Sequence, residues 1–343
     1  MTIENSMSVL MRKVMFKSPI GNLGDMERRV TEMPDAHLWT EDSPVRFEIM
    51  EEGLKRGNGG PGGSRSIRIM APTMLGIVKS LRSLKKNPSR PKTEALAELV
   101  DDLKAYLLGL GASSVGYTQV PERWIFQNKA ILHTNAVVLT MEMDKPRIDT
   151  APSQDSLEAV VEIYRDLGRI ANRGADYLRR QGYSAQAGHP LMGLALYPPL
   201  AQMAGLGWMG ANGLIITPEH GPRVRLAAIF TSIENLPFSA QNDHQWVEEY
   251  CAACQICVHK CPVEAIMSEP ERHENGQITY VVNERCFPYF SDYYGCSVCI
   301  AVCPFNHSPY DRLKQYFVRA EGLDIGSNTE LAKEPVPLAM AGE

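Results

Sequence analysis

Apolar residues recur at helical spacing at Leu96, Leu99, Val100, Leu103 and Leu107, a stripe that meets a core once per turn. Thr93 stands where a helix cap is wanted, and Gly109 and Gly111 close the segment. A longer stripe (Val161, Tyr164, Leu167, Ile170, Ala171, Tyr177) predicts an amphipathic helix over Glu158 to Gln181. Short runs of Val, Leu and Ile lie around these segments: Val115 to Tyr117, Ala136 to Met141, Leu214 to Ile216 and Val224 to Ile229. Such runs read as buried strands. Helices alternating with strands predict an α/β core over residues 93–245. A cysteine-rich module follows over 246–310, then a tail over 311–343. Residues 1–92 show no regular period and read as an extension of open role. Within them, Arg56 to Arg65 is a glycine-rich loop. A phosphate cradle is the sharper alternative, disfavoured because no Gly-Lys-Ser/Thr follows and no clear strand precedes it. Lys79 to Arg90 reads as a basic helix end and linker, with docking of an acidic electron donor as the sharper alternative.

The chain has 343 residues, 44% hydrophobic, with a net charge of -5. That is enough apolar residue for a full core. The acidic balance argues against a nucleic-acid partner, because such domains carry a basic face. No apolar run approaches the roughly 20 residues that cross a bilayer. The N-terminus has no signal-peptide pattern, and Arg28-Arg29 leads into a polar stretch. The expected location is the cytoplasm.

All eight cysteines fall between positions 251 and 303. The first run is Cys251-x2-Cys254-x2-Cys257-x3-Cys261-Pro262, and the second is Cys286-x9-Cys296-x2-Cys299-x3-Cys303-Pro304. In ferredoxin-type runs three closely spaced thiolates wrap one cubane, and the fourth reaches the other. Cys251, Cys254, Cys257 and Cys303 then hold one [4Fe–4S] cluster, and Cys286, Cys296, Cys299 and Cys261 the second. Disulfides do not suit a large chain without a secretory signal, and zinc sites use separated ligand pairs.

About 240 residues precede this module, and the informative stretch is Ala204-Gly205-Leu206-Gly207-Trp208-Met209-Gly210-Ala211-Asn212-Gly213, continuing through Thr217 and Gly221-Pro222-Arg223-Val224-Arg225. Its glycines let a backbone approach a ligand or a neighbouring element. The match to a dinucleotide fingerprint is weak, since helix precedes the glycines and strand follows. With Val115-Gly116-Tyr117, Glu122-Arg123-Trp124, Thr150-Ala151-Pro152-Ser153, Arg180 to Ala185 and both cysteine runs, the block resembles the cobalamin-dependent reductive dehalogenases and the related epoxyqueuosine reductases.

The resemblance implies a base-off corrinoid in a nitroreductase-like α/β core, followed by a bacterial-ferredoxin-like module. A ferredoxin or flavodoxin type donor would feed the distal cluster. Electrons would then reach the first cluster and the cobalt, and Co(I) would reduce a small organic substrate such as a halogenated one. Gly205, Gly207, Gly210, Asn212, Thr217, Gly221, Arg223 and Arg225 would lie against the corrinoid. The aromatic insert Phe287 to Tyr294, with Tyr289 and Phe290, would line the corrinoid boundary or cover the cluster. Tyr164 matches the family's proton-donating tyrosine. An ordinary phenol titrates near 10, so it needs a nearby cation to act. The family places that cation where this chain has Ala211, which leaves Arg173, Arg223 or Arg225 to replace it. Met192, Leu194, Leu196 and Tyr197 stand where a tRNA-modifying relative has a carboxylate, and instead suggest an apolar pocket wall. His189, His220 and His307 each read as structural groups, with axial ligation or acid catalysis as the sharper alternative. An epoxyqueuosine-reductase-like enzyme acting on tRNA, a non-catalytic electron carrier and a reducer of another protein's corrinoid are the rival readings.

Overall fold

In this computed structural model the described residues are parts of 29–38, and 67–320 except 127, 128 and 275. The Arg56 to Arg65 loop and the end of the chain from Gly322 lie outside them. The main elements are α1 (Ile67–Ser83), α2 (Ala97–Gly109), β1 (Ser114–Gln119), β2 (Asn135–Glu142), α3 (Lys145–Ile148), α4 (Gln154–Arg180), β3 (Ala185–Gly188), α5 (Tyr197–Met203), β4 (Trp208–Met209), β5 (Ile215–Ile216) and β6 (Val224–Thr231). Then come α6 (Trp246–Cys254), β7 (Ile266–Arg272), β8 (Ile278–Val281), α7 (Asn283–Asp292) and α8 (Tyr310–Ala320).

The central sheet has the order β1-β2-β6-β3. Every neighbouring pair is antiparallel. The expected alternation of helix and strand is present, but it builds a mixed fold on an antiparallel sheet. β1 and β2 are joined without a crossover helix, and β6 inserts between β2 and β3. Side chains alternate across the pleat. Val115, Val137, Leu139, Ala227 and Ile229 point toward α2 and α4, whereas Ala136, Val138, Leu226, Ala228 and Phe230 point toward α5. Both faces are therefore covered, which is why the strands read as unbroken apolar runs. Leu103, Leu107, Leu167 and Phe230 are fully buried, each worth about 1.5–3 kcal/mol.

Two boundaries differ from the pattern. α2 begins at Ala97, not at Thr93. The Thr93 carbonyl accepts the Glu234 amide at 2.7 Å, and Leu96 is exposed. Within the supposedly irregular 1–92 stretch, α1 packs Met74, Ile77 and Val78 inward. Asn172 of α4 donates to the Gly76 carbonyl at 3.1 Å and to Ser80 Oγ at 3.0 Å, and Lys79 pairs with Asp176. Likewise the expected tail begins as α8, whose Leu313 and Phe317 are buried.

Candidate functional site

α6 carries Cys251 and Cys254. It ends at Gln255, whose left-handed φ of 53° turns the chain so that Cys257 follows in a short helix. The second run repeats the device, with positive φ at Cys296 and Ser297. Such turns aim successive backbone N–H groups into a concavity, a favourable setting for an anionic cluster. The Ala265 amide donates to Cys261 Sγ at 3.3 Å. Backbone amides of Ala211, Ile256, Val298 and Phe305 likewise meet the sulfurs of Cys251, Cys254, Cys296 and Cys303.

The thiols fall into two neighbourhoods. Burial pushes the Cys303 thiol far up, and Cys251, Cys257 and Cys254 add to the rise. Burial likewise raises Cys299, assisted by Cys296, Cys257, Cys286 and Cys261. Cys286 is pushed up to about 11 by burial, then by Cys296 and Cys261. Cys303 thus lies with the first run and Cys261 with the second. Thiols this buried stay neutral until a cation arrives, so the donor set fits a metal cluster bound as the anion is formed. Among the described residues no three His, Cys, Asp or Glu side chains converge to hold a single metal ion.

The glycine block is the floor beneath both neighbourhoods. A Cβ at Gly207, where φ is 154°, would stand 2.1 Å from the Ile216 carbonyl oxygen. One at Gly221 would stand 2.4 Å from the Phe305 oxygen. Gly205 faces Ser239, and Gly210 faces the Ile216 side chain. Thr217 and Gly221 bond each other's backbones at 3.0 and 2.9 Å. Asn212 Nδ2 donates to the Cys299 carbonyl at 3.4 Å. Arg223 is also occupied: Nε donates to the Met143 carbonyl at 3.2 Å, Nη1 to Asn306 at 2.6 Å and Nη2 to Glu142 at 2.6 Å. At these positions the structure shows contacts that the chain makes with itself.

Tyr164 and Arg225 differ. Tyr164 sits on α4, partly buried, packed in a cluster with Leu214 and Cys299. The Arg225 guanidinium lies 5.4 Å from the Tyr164 ring centroid. Its Nε is buried with no hydrogen-bond partner, and among the described residues no acid pairs with it. Of the other cations considered, Arg173 is exposed and Arg223 is committed elsewhere. Ala211 is buried, with its amide turned to Cys251. Gly295 abuts Leu157 and Phe290, and Leu157 lies two turns before Tyr164 on α4. In the aromatic insert Tyr289 stacks on Tyr293 at 4.1 Å and Phe290 on Phe287 at 5.8 Å. Phe290, Tyr293 and Tyr294 remain exposed.

The other candidates disperse. Met192 packs toward α1, while Leu194, Leu196 and Tyr197 join the core beneath the sheet; they do not form one wall. His220 faces Glu142 at 3.4 Å, and His307 bonds the Ala301 carbonyl. His189 is buried, its Nδ1 accepting the Leu191 amide at 3.2 Å. A feature absent from the sequence reading is the aromatic shell beside the first run. Trp246 stands 5.0 Å from Tyr310, and Tyr250 stands 5.0 Å from Phe305. Their spacing over sixty residues gave no local signal.

Residues 250–307 match the family model of the 4Fe-4S dicluster domain. Tetrachloroethene reductive dehalogenase of Desulfitobacterium hafniense is 33% identical over 223 residues, covering 60% of this chain and 39% of that protein. The enzyme of that name from Sulfurospirillum multivorans is 30% identical over 182 residues, covering 50% of this chain and 35% of its own. Epoxyqueuosine reductase of Listeria monocytogenes is 32% identical over 114 residues, covering 31% and 28%. A solved catabolic reductive dehalogenase superposes with a TM-score of 0.61 at 20% identity, over 83% of this chain and 45% of that one. The chain spans less than half the length of these relatives. It carries a 4Fe–4S dicluster domain on a reductive-dehalogenase-like fold, and is a homologue of the reductive dehalogenases and the epoxyqueuosine reductases.

Proposed function

We propose that the chain is an iron–sulfur oxidoreductase in which two [4Fe–4S] clusters deliver electrons to a corrinoid received at the Tyr164–Arg225 face, for reduction of a small organic substrate such as a halogenated one. A corrinoid supplies a cobalt ion that, in its lowest oxidation state, gives electrons to such a substrate. The observation that carries the reading is the Arg225 guanidinium over the Tyr164 ring, beside the apolar cluster against which Cys299 also packs. Arg225 offers a cation where position 211 has none, and Tyr164 offers a proton at its Oη. The apolar packing of Leu214 and Cys299 keeps water from that side. Cys299 belongs to the second neighbourhood, so in this reading the second cluster would stand nearer the reacting face, the reverse of the order expected from sequence. A donor of the ferredoxin or flavodoxin type would then feed the first cluster. Assignment of the core as nitroreductase-like and a cytoplasmic location form part of this reading.

The basic segment of α1 does not suit electron entry. Asp176, which holds Lys79, lies twelve residues beyond Tyr164 along α4, about 18 Å at 1.5 Å per residue.

Anaerobic reconstitution with iron, sulfide and hydroxocobalamin tests the proposal. Corrinoid bands that co-elute with the cluster absorption, and halide release from a halogenated phenol under reductant, are the expected results. Full iron and sulfide without retained corrinoid would reduce the chain to an electron relay.

A further inference from the structure

Cys303 is the only one of the eight cysteines that is buried, and the residues after it are fastened to the core from two sides. The Phe305 carbonyl lies directly against Gly221, where any side chain would collide with it. Asn306, 3% exposed, has both ends of its amide engaged. Its Oδ1 accepts from Arg223 at 2.6 Å. Its Nδ2 donates to Asp149 Oδ1 at 2.7 Å and to the Ala301 carbonyl at 3.2 Å. Arg223 in turn grips the end of β2 through Glu142 and the following Met143 carbonyl. These bonds join three separate segments of the core to the turn that presents one sulfur.

We infer that Arg223 and Asn306 are positioning residues that fix Cys303 against the core and so set the environment of the first cluster. The inference rests on the two-cluster reading. Cluster potential responds to hydrogen bonds at sulfur and to solvent access. Both depend on where the Cys303 segment sits, since its sulfur takes the Phe305 amide. Of these bonds only the one to the Ala301 carbonyl reaches the short helix that bears Cys299, so the second cluster should shift far less than the first. Arg223 acts through Asn306 and touches no reacting atom.

The test uses the full chain, reconstituted anaerobically, as wild type, Arg223→Met, Arg223→Lys and Asn306→Asp. Asn306→Asp keeps the volume but sets a carboxylate against Asp149. Iron and sulfide content, the EPR spectrum of the dithionite-reduced protein and a redox titration are recorded. The expected result is unchanged iron with one of two one-electron waves shifted and one EPR signal altered. Arg223→Lys, which can still reach Asn306, should shift it less. Waves and signals identical to wild type in both Arg223→Met and Asn306→Asp overturn the inference. If Arg223→Met does not fold, Asn306→Asp decides alone under the same two outcomes. Failure of the two-cluster reading looks different: the wild type itself would then show a single wave.

Discussion

Gly207 shows how far a single residue can be read. Its sequence context suggested approach to a ligand, yet the atom it must avoid is the chain's own Ile216 oxygen, 2.1 Å from where a Cβ would stand. Gly207→Ala should therefore cost at least about 2 kcal/mol, through both collision and backbone strain. Gly109→Ala, at the end of α2 with nothing within 4 Å, should be neutral or slightly stabilising. Urea unfolding of the two variants checks the contrast. Tyr164 and Arg225 make a second residue-level prediction. Tyr164→Phe and Arg225→Met should each lower turnover on a halogenated phenol by about 10²-fold, the lower range for loss of a positioned proton donor. The double variant should be little worse than either, as for groups that act together. Equal iron content in all three excludes a folding defect. The eight thiols were legible in sequence because their ligand spacing is local. The choice of Arg225 over Arg173 and Arg223 was not, since Arg223 and Arg225 lie about sixty positions from Tyr164 and only the fold shows which of them meets its ring.

The contact between α1 and α4 is the lesson at the scale of elements. The helical spacing of Met74, Ile77, Val78 and Leu81 is present in sequence, but Pro72, Gly76 and the preceding glycines hide it. Only α4 explains Gly76: it and Gly168 make room for the buried His189 ring, whose Nε2 would stand 2.0 Å from a Cβ at Gly168. Burial holds the His189 imidazole down at about 3, below its ordinary 6.5. The unfolded chain thus takes up a proton that the folded one refuses. Stability is unaffected above pH 6.5 and falls as pH drops from 6.5 toward 3. At pH 5 the loss should be about 2 kcal/mol relative to pH 7. Denaturant titration of wild type and His189→Leu checks this, and a slope in the variant as steep as in wild type would refute it. The strands and α4 were legible because burial on one or both faces imposes a clear period. The antiparallel pairing was not, because nothing in a strand's composition records its neighbour's direction.

For the whole molecule, the crossing of Cys261 and Cys303 between runs makes a sharp prediction. Cys303→Ser should remove the same EPR signal as Cys251→Ser, and Cys261→Ser the same signal as Cys286→Ser. If signals instead follow the order of the chain, the crossed grouping is wrong. The module's cysteine runs were legible in sequence; its attachment through Asn306, and the packing of α8 on the aromatic shell, were not, because they join residues far apart in the chain.

The placement of α1 at the far end of α4 also divides the molecule electrically. Among the described residues, 67–93 hold seven Lys and Arg and not one Asp or Glu, whereas residues 246–310 hold eight acids against three such bases. The protein therefore carries a cationic and an anionic pole, and a charged visitor feels a torque before it feels a contact. Anionic reductants meet repulsion at the sulfur-bearing pole. Reduction by dithionite, followed by stopped flow, should accelerate as added salt shortens the reach of that field, while a polycation-bound surface should capture the molecule with its thiol pole inward.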